Sequence, residues 1–115
     1  MDIIENHLSP LYPEFTPVKT RVVDGVFIVS TRNLNLLFLN ETAKSFCDYA
    51  DGTNSFAQII DLLLKEYDVQ REKLVSDMVN LLRNLQWEHL ITLSKHAKTK
   101  SKIIRKFLEF AKNEL

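Results

Sequence analysis

The spacing of apolar residues changes period several times along the chain, and each change predicts an element. Val18 to Val23 and Val26 to Val29 are two β-rich runs joined by Asp24-Gly25. Asp-Gly between such runs predicts a hairpin, because a type I′ turn needs positive φ at both central residues. Thr31-Arg32-Asn33 predicts a second turn, and Asn35-Leu36-Leu37-Phe38-Leu39 a third strand, since five residues between turns suit a strand better than a helix. The expected result is a three-stranded antiparallel meander. On its third strand Leu37 and Leu39 would point one way, Leu36 and Phe38 the other. A half-exposed strand alternates apolar with polar residues, so both faces of this one need cover. The C-terminal helix or the N-terminal arm could supply it. The functional reading is an extended peptide lying along the strand, because an edge offers unpaired N–H and C=O groups.

Helical periodicity follows. Asn40 predicts an N-cap, with Glu41 suited to the positive helix end, and Ala43, Phe46, Cys47 and Ala50 recur at helical spacing. Asp51-Gly52 ends that helix. Ser55-Phe56-Ala57-Gln58 is a capping box before the stripe Phe56, Ile59, Ile60, Leu63 and Leu64. A third helix is predicted from Arg71 to Trp87. Leu74, Val75, Met78, Val79, Leu81, Leu82 and Leu85 fill an arc of roughly 160° on it. Lys73, Asp77, Asn80 and Asn84 form the polar stripe alongside, and Trp87 is expected to pack in the core or at its rim. Leu90 to Leu93 returns to an extended segment, and Ser101 to Leu115 predicts an amphipathic helix with Ile103, Ile104, Phe107, Leu108 and Ala111 apolar. All three prolines, Pro10, Pro13 and Pro17, fall in residues 1–17, which therefore read as an extended N-terminal arm. The chain divides into that arm, a domain over 18–93 and a basic C-terminal helix over 94–115. The fold class is α+β: an N-terminal three-stranded antiparallel sheet, three helices and the C-terminal amphipathic helix.

At 115 residues the chain has the length of one domain. Its 15 basic and 15 acidic side chains balance, so no global excess advertises nucleic acid. The balance hides a split: residues 1–93 carry −5 and residues 94–115 carry +5. An exposed strand edge and a detachable amphipathic helix both permit a homodimer. Cys47 is alone, which excludes an internal disulfide, and it lies on an apolar helix face where a structural thiol is expected. His7, His89 and His96 lack metal-ligand spacing, and no phosphate-binding glycine loop is present. No catalytic constellation and no cofactor site is visible. No apolar run reaches the ~18 residues of a membrane span, and the first residues carry acids where a signal peptide carries bases. The expectation is a soluble cytoplasmic domain.

The run Asp24-Gly25-Val26-Phe27-Ile28-Val29 followed by Asn35-Leu36-Leu37-Phe38-Leu39-Asn40-Glu41-Thr42-Ala43 resembles the PqqD family. That family holds the pyrroloquinoline quinone biosynthesis protein D and the recognition elements of ribosomally made, modified peptide (RiPP) pathways. Asp51-Gly52, Ser55 with Gln58, Glu66-Tyr67-Asp68-Val69, Leu81-Leu82 and Leu90-Ile91 continue the match at family spacing. The resemblance covers residues 18–93. Ala43 stands where the family usually has glycine, His89 where a helix-ending glycine often sits, and the basic segment after Leu93 lies beyond the family's usual end.

The resemblance implies a winged-helix-like fold and a non-catalytic, peptide-binding chaperone role in natural product biosynthesis. Such domains capture the leader peptide of a precursor as an added strand and present it to a tailoring enzyme, such as a radical SAM protein or a leader peptidase. Carried over, Asn35, Leu36, Leu37, Phe38 and Leu39 would pair with the leader, and Lys73, Leu74, Asp77, Leu81 and Asn84 would form the groove wall. The other flank, Val75, Val79 and Arg83, stays open, because periodicity alone does not choose. An interface below about 1,200 Å² and an affinity near the micromolar range would follow. The alternative is a winged-helix nucleic-acid binder using Lys95 to Lys112. Against it, the third helix sets only Arg71, Lys73 and Arg83 against Glu72, Asp77 and Glu88, less positive charge than a recognition helix brings to phosphates.

Overall fold

The computed structural model describes residues 2–98. Its elements run α1 (Asp2–Leu8), β1 (Tyr12–Phe15), β2 (Lys19–Val23), β3 (Val26–Ser30), β4 (Leu36–Leu39), α2 (Glu41–Tyr49), α3 (Phe56–Glu66), α4 (Arg71–Trp87) and β5 (Ile91–Ser94). The fold is α+β, with an antiparallel sheet in the order β2-β3-β4 and a separate two-stranded sheet of β1 and β5. The predicted C-terminal helix, Ser101 to Leu115, lies outside the described residues.

Local chemistry accounts for most boundaries. Asp24 and Gly25 both take positive φ, 51° and 79°, as the two-residue turn between β2 and β3 demands. Between the hydrogen-bonded Thr31 and Asn35 the β3–β4 connection is a three-residue loop, Arg32 to Leu34, with Leu34 N–H donating to the Thr31 carbonyl and Leu34 at φ 67°. A type I turn followed by one left-handed residue is the usual form of such a loop. Asn40 caps α2 by accepting from the Ala43 N–H at 2.9 Å. Ser55 and Gln58 close a reciprocal capping box on α3. At the end of α4, Leu90 N–H donates to the Leu85 carbonyl and His89 N–H to the Gln86 carbonyl, a Schellman closure with His89 at φ 57°. The left-handed residue is where the family's glycine would stand. Leu85 and Leu90, the pair such a closure brings together, are both fully buried.

The core forms where the helices meet the inner face of the sheet. Val29, Phe46, Phe56, Ile59, Ile60, Leu63, Leu82, Leu85 and Leu90 are among its most enclosed members. Phe46 and Phe56 meet edge to face, 6.0 Å between centroids, locking α2 onto the start of α3. The buried residues of α4 are the same seven that its apolar arc predicts.

Three expectations need correction. Residues 1–17 are not an extended arm throughout: Asp2–Leu8 is helical, and Tyr12–Phe15 is a strand paired with Ile91–Ser94. Pro10 still explains the break between these two pieces. Pro13 costs β1 one donor, but its carbonyl accepts from Gly52 N–H, and Phe15 N–H donates to the Ala50 carbonyl. The N-terminal segment thus pairs with β5, and Leu36 and Phe38 on the second face of β4 stay exposed. Finally, Trp87 does not pack: it is 82% exposed, because it sits on the polar stripe of α4 rather than on its apolar arc.

Candidate peptide-binding groove

Among the described residues the sheet leaves one edge open beside a helix. Pairing runs Phe27↔Leu39, Ile28↔Phe38, Val29↔Leu37 and Ser30↔Leu36, and among the described residues β4 has no neighbour on its other side. Thr31 N–H donates to the Asn35 carbonyl at 2.9 Å, so that pair is the hydrogen-bonded one. Alternation along an antiparallel ladder then turns the N–H and C=O of Leu37 and Leu39 toward β3 and those of Leu36 and Phe38 toward the open edge. Side chains alternate as well. Leu37 and Leu39 pack against the core, while Leu36 and Phe38 lie on the outer face, Phe38 being 66% exposed. Ile28 shares that outer face and is buried without joining the main core; its cross-strand neighbours are Arg21 and Phe38.

Between this edge and α4 lies a groove of about 300 Å³. Leu74, Met78, Leu81, Ala43 and Leu39 give it an apolar floor, and Lys73, Asp77, Asn80, Asn84 and Thr42 a polar rim. Its volume is at the lower end of small-molecule sites and its form is open, which suits one or two side chains better than an enclosed ligand. From Lys73 to Asn84 the wall is about 16 Å long at 1.5 Å per residue, the span of roughly five extended residues. Lys73 Nζ and Asp77 Oδ2 stand 3.4 Å apart on the exposed rim. Such a pair contributes little to stability, about 0.3–0.5 kcal/mol, and leaves both groups free to turn toward a ligand.

The residues singled out from sequence separate clearly. Phe38, Leu39, Lys73, Leu74, Asp77, Leu81 and Asn84 line the groove. Leu36 contributes edge main chain, and Leu37 is turned inward. Asn35 precedes the strand and closes the hairpin, its N–H donating to Thr31 Oγ1. On the opposite flank Val75 and Val79 are core residues, and Arg83 alone is exposed. Asn40, Thr42, Ala43, Val69, Met78 and Asn80 also line the groove and were not among the predicted site residues. Met78 and Asn80 were legible on the helix; the other four come from α2 with its cap and from the α3–α4 link, whose approach is tertiary.

Cys47 is buried and its thiol is pushed up to about 12, by burial first and by Asp48 second. Lys44 is raised by its hydrogen bond to Asp48 and lies 5.6 Å over the Phe27 ring. Among the described residues no group of three His, Cys, Asp or Glu side chains is placed to hold a metal ion, and no helix is long and apolar enough to cross a membrane.

Comparison with known proteins agrees with the pattern read from the chain. Residues 25–91 match the PqqD family, coenzyme PQQ synthesis protein D, and the chain belongs to that family. No curated protein and no solved structure matches it.

Proposed function

We propose that this PqqD-family chain is a non-catalytic adaptor that captures the leader of a precursor peptide as an added strand on β4. It presents that peptide to a tailoring enzyme, such as a radical SAM protein, in the synthesis of PQQ or another modified peptide. A leader peptidase is a second kind of enzyme partner such an adaptor could serve. One observation carries the reading: the outward main-chain groups of Leu36 and Phe38 run beside an apolar-floored groove. A peptide paired there gains main-chain hydrogen bonds from the edge and buries an anchor side chain against Leu74, Met78 and Leu81. Lys73 and Asp77 then fix register more than strength. The sheet followed by α2, α3 and α4 supports a winged-helix-like reading of the fold.

The test is a pair of prolines. Leu36→Pro removes an outward N–H at the first residue of an edge strand, a position that tolerates proline. It is expected to weaken binding of a synthetic leader, taken from a short precursor encoded beside the gene, by up to about tenfold, one hydrogen bond being worth about 0.5–1.5 kcal/mol. Leu37→Pro instead breaks the bond to Val29 and is expected to lower stability. Unchanged leader affinity in a folded Leu36→Pro chain would remove the strand-addition mechanism.

A further inference from the structure

We propose that Glu88 and Trp87 form a second subsite at the C-terminal end of the β4–α4 groove, one that takes a basic side chain of the bound peptide. The inference rests on the reading of the groove as a peptide site and adds to it what the peptide must carry.

Glu88 holds an unused acceptor. The residue is half-buried, its Oε2 is closed off from solvent, and among the described residues that oxygen has no hydrogen-bond partner. None of the ion pairs among those residues uses it. A carboxylate oxygen only accepts, and one left buried without a donor costs more than a neutral group in the same position. A donor brought by a ligand removes that cost.

The helix puts this oxygen's residue in line with the groove. At 100° per residue Glu88 stands about 20° from Asp77, about 20° from Leu81 and about 40° from Asn84, all three of which line the groove. Glu88 is the C-cap of α4, and a φ of −87° keeps it close to the helical path. It lies about 6 Å beyond Asn84 along the axis. Trp87, the chain's one tryptophan, stands exposed about 20° from the rim residue Asn80 and about 60° from Asn84. An exposed indole next to a carboxylate fits a cation, which the carboxylate pairs with and the indole face attracts. Tryptophan is also enriched where binding energy concentrates.

Spacing then sets a pattern for the peptide. The apolar floor of Leu74, Met78 and Leu81 centres on Met78, about 15 Å along the axis from Glu88. Four extended residues cover about 13 Å, and an even number keeps both side chains on one face. The length of a Lys or Arg side chain closes the remainder. The peptide that fits best carries an apolar anchor and a basic residue four positions apart.

The experiment titrates the full chain with a synthetic leader, taken from a short precursor encoded beside the gene, and with the same leader carrying glutamine at every Lys and Arg. Binding is expected to move the Trp87 emission to shorter wavelength and to shield it from acrylamide. The glutamine leader should bind the parent chain about tenfold more weakly, as loss of one charge-assisted hydrogen bond implies. Glu88→Gln should weaken the parent leader by a similar factor and should no longer distinguish the two leaders. Its urea midpoint should not fall, because the replaced oxygen has no partner to lose. A lower midpoint would reveal an internal partner and overturn the proposal. Equal affinity of the two leaders for the parent chain, a binding leader without Lys or Arg, or a bound leader that leaves the Trp87 emission unchanged would overturn it too. Amide shifts separate this inference from the functional reading. Shifts at Leu36–Leu39 with no dependence on Glu88 would sink this inference alone. Dependence on Glu88 with Leu36–Leu39 unshifted would sink strand addition alone, and absence of binding would sink both.

Discussion

Replacing His89 by glycine is expected to make the protein more stable. His89 holds φ 57° in the Schellman closure of α4, a conformation in which a Cβ crowds the backbone. Among the described residues the exposed imidazole makes no hydrogen bond, and both closing bonds use main chain that glycine keeps. Relief of the left-handed conformation is worth about 1 kcal/mol. The greater freedom of glycine in the unfolded chain takes back about 0.5 kcal/mol, leaving a gain of about 0.5 kcal/mol, or roughly 2 °C in Tm. His89→Ala supplies the sharper contrast. It removes the imidazole but keeps the Cβ, so on the same terms His89→Gly should exceed His89→Ala by about 0.5 kcal/mol. Urea unfolding followed by far-ultraviolet circular dichroism measures both, with equal m values expected. If the alanine variant proves as stable as the glycine variant, the left-handed closure does not carry strain and the reasoning is wrong.

Other predictions follow from the caps and the buried thiol. Ser55→Ala should cost about 1 kcal/mol, read as a lower urea midpoint, because the Gln58 N–H at the start of α3 loses its acceptor. Cys47 should resist thiol reagents in the folded chain and react on unfolding. Its raised thiol also gives stability a pH dependence. The folded chain keeps a proton that the unfolded chain loses near 9, so this contribution is complete below that pH and is lost as pH rises toward about 12. Cys47→Ala should flatten the alkaline fall in unfolding midpoint relative to the parent; an identical fall would show that other groups cause it.

What could be read from the chain was what is local. Asp24-Gly25, the Asn40 cap, the Ser55–Gln58 box and the seven buried residues of α4 each depend on neighbours within a few positions. The pairing of Tyr12–Phe15 with Ile91–Ser94 joins the two ends of the domain, and nothing in a four-residue segment containing Pro13 announces such a partner. The groove divides in the same way. Lys73, Asp77 and Asn84 lie on one readable stripe, whereas Thr42 and Val69 reach it only through packing. Periodicity could not choose between the flanks of α4, because both border the same apolar arc. Packing distinguishes them: Val75 and Val79 are enclosed in the core, while the Lys73–Asp77–Asn84 side borders the open edge of β4.

The most direct measurement is an amide NMR titration of the full chain with the synthetic leader, with duplex DNA as control. The account predicts saturable shifts at Leu36–Leu39, Asp77, Leu81 and Asn84, with DNA silent. Shifts that avoid β4, or that appear only with DNA and only at Lys95–Lys98 and beyond, would contradict it.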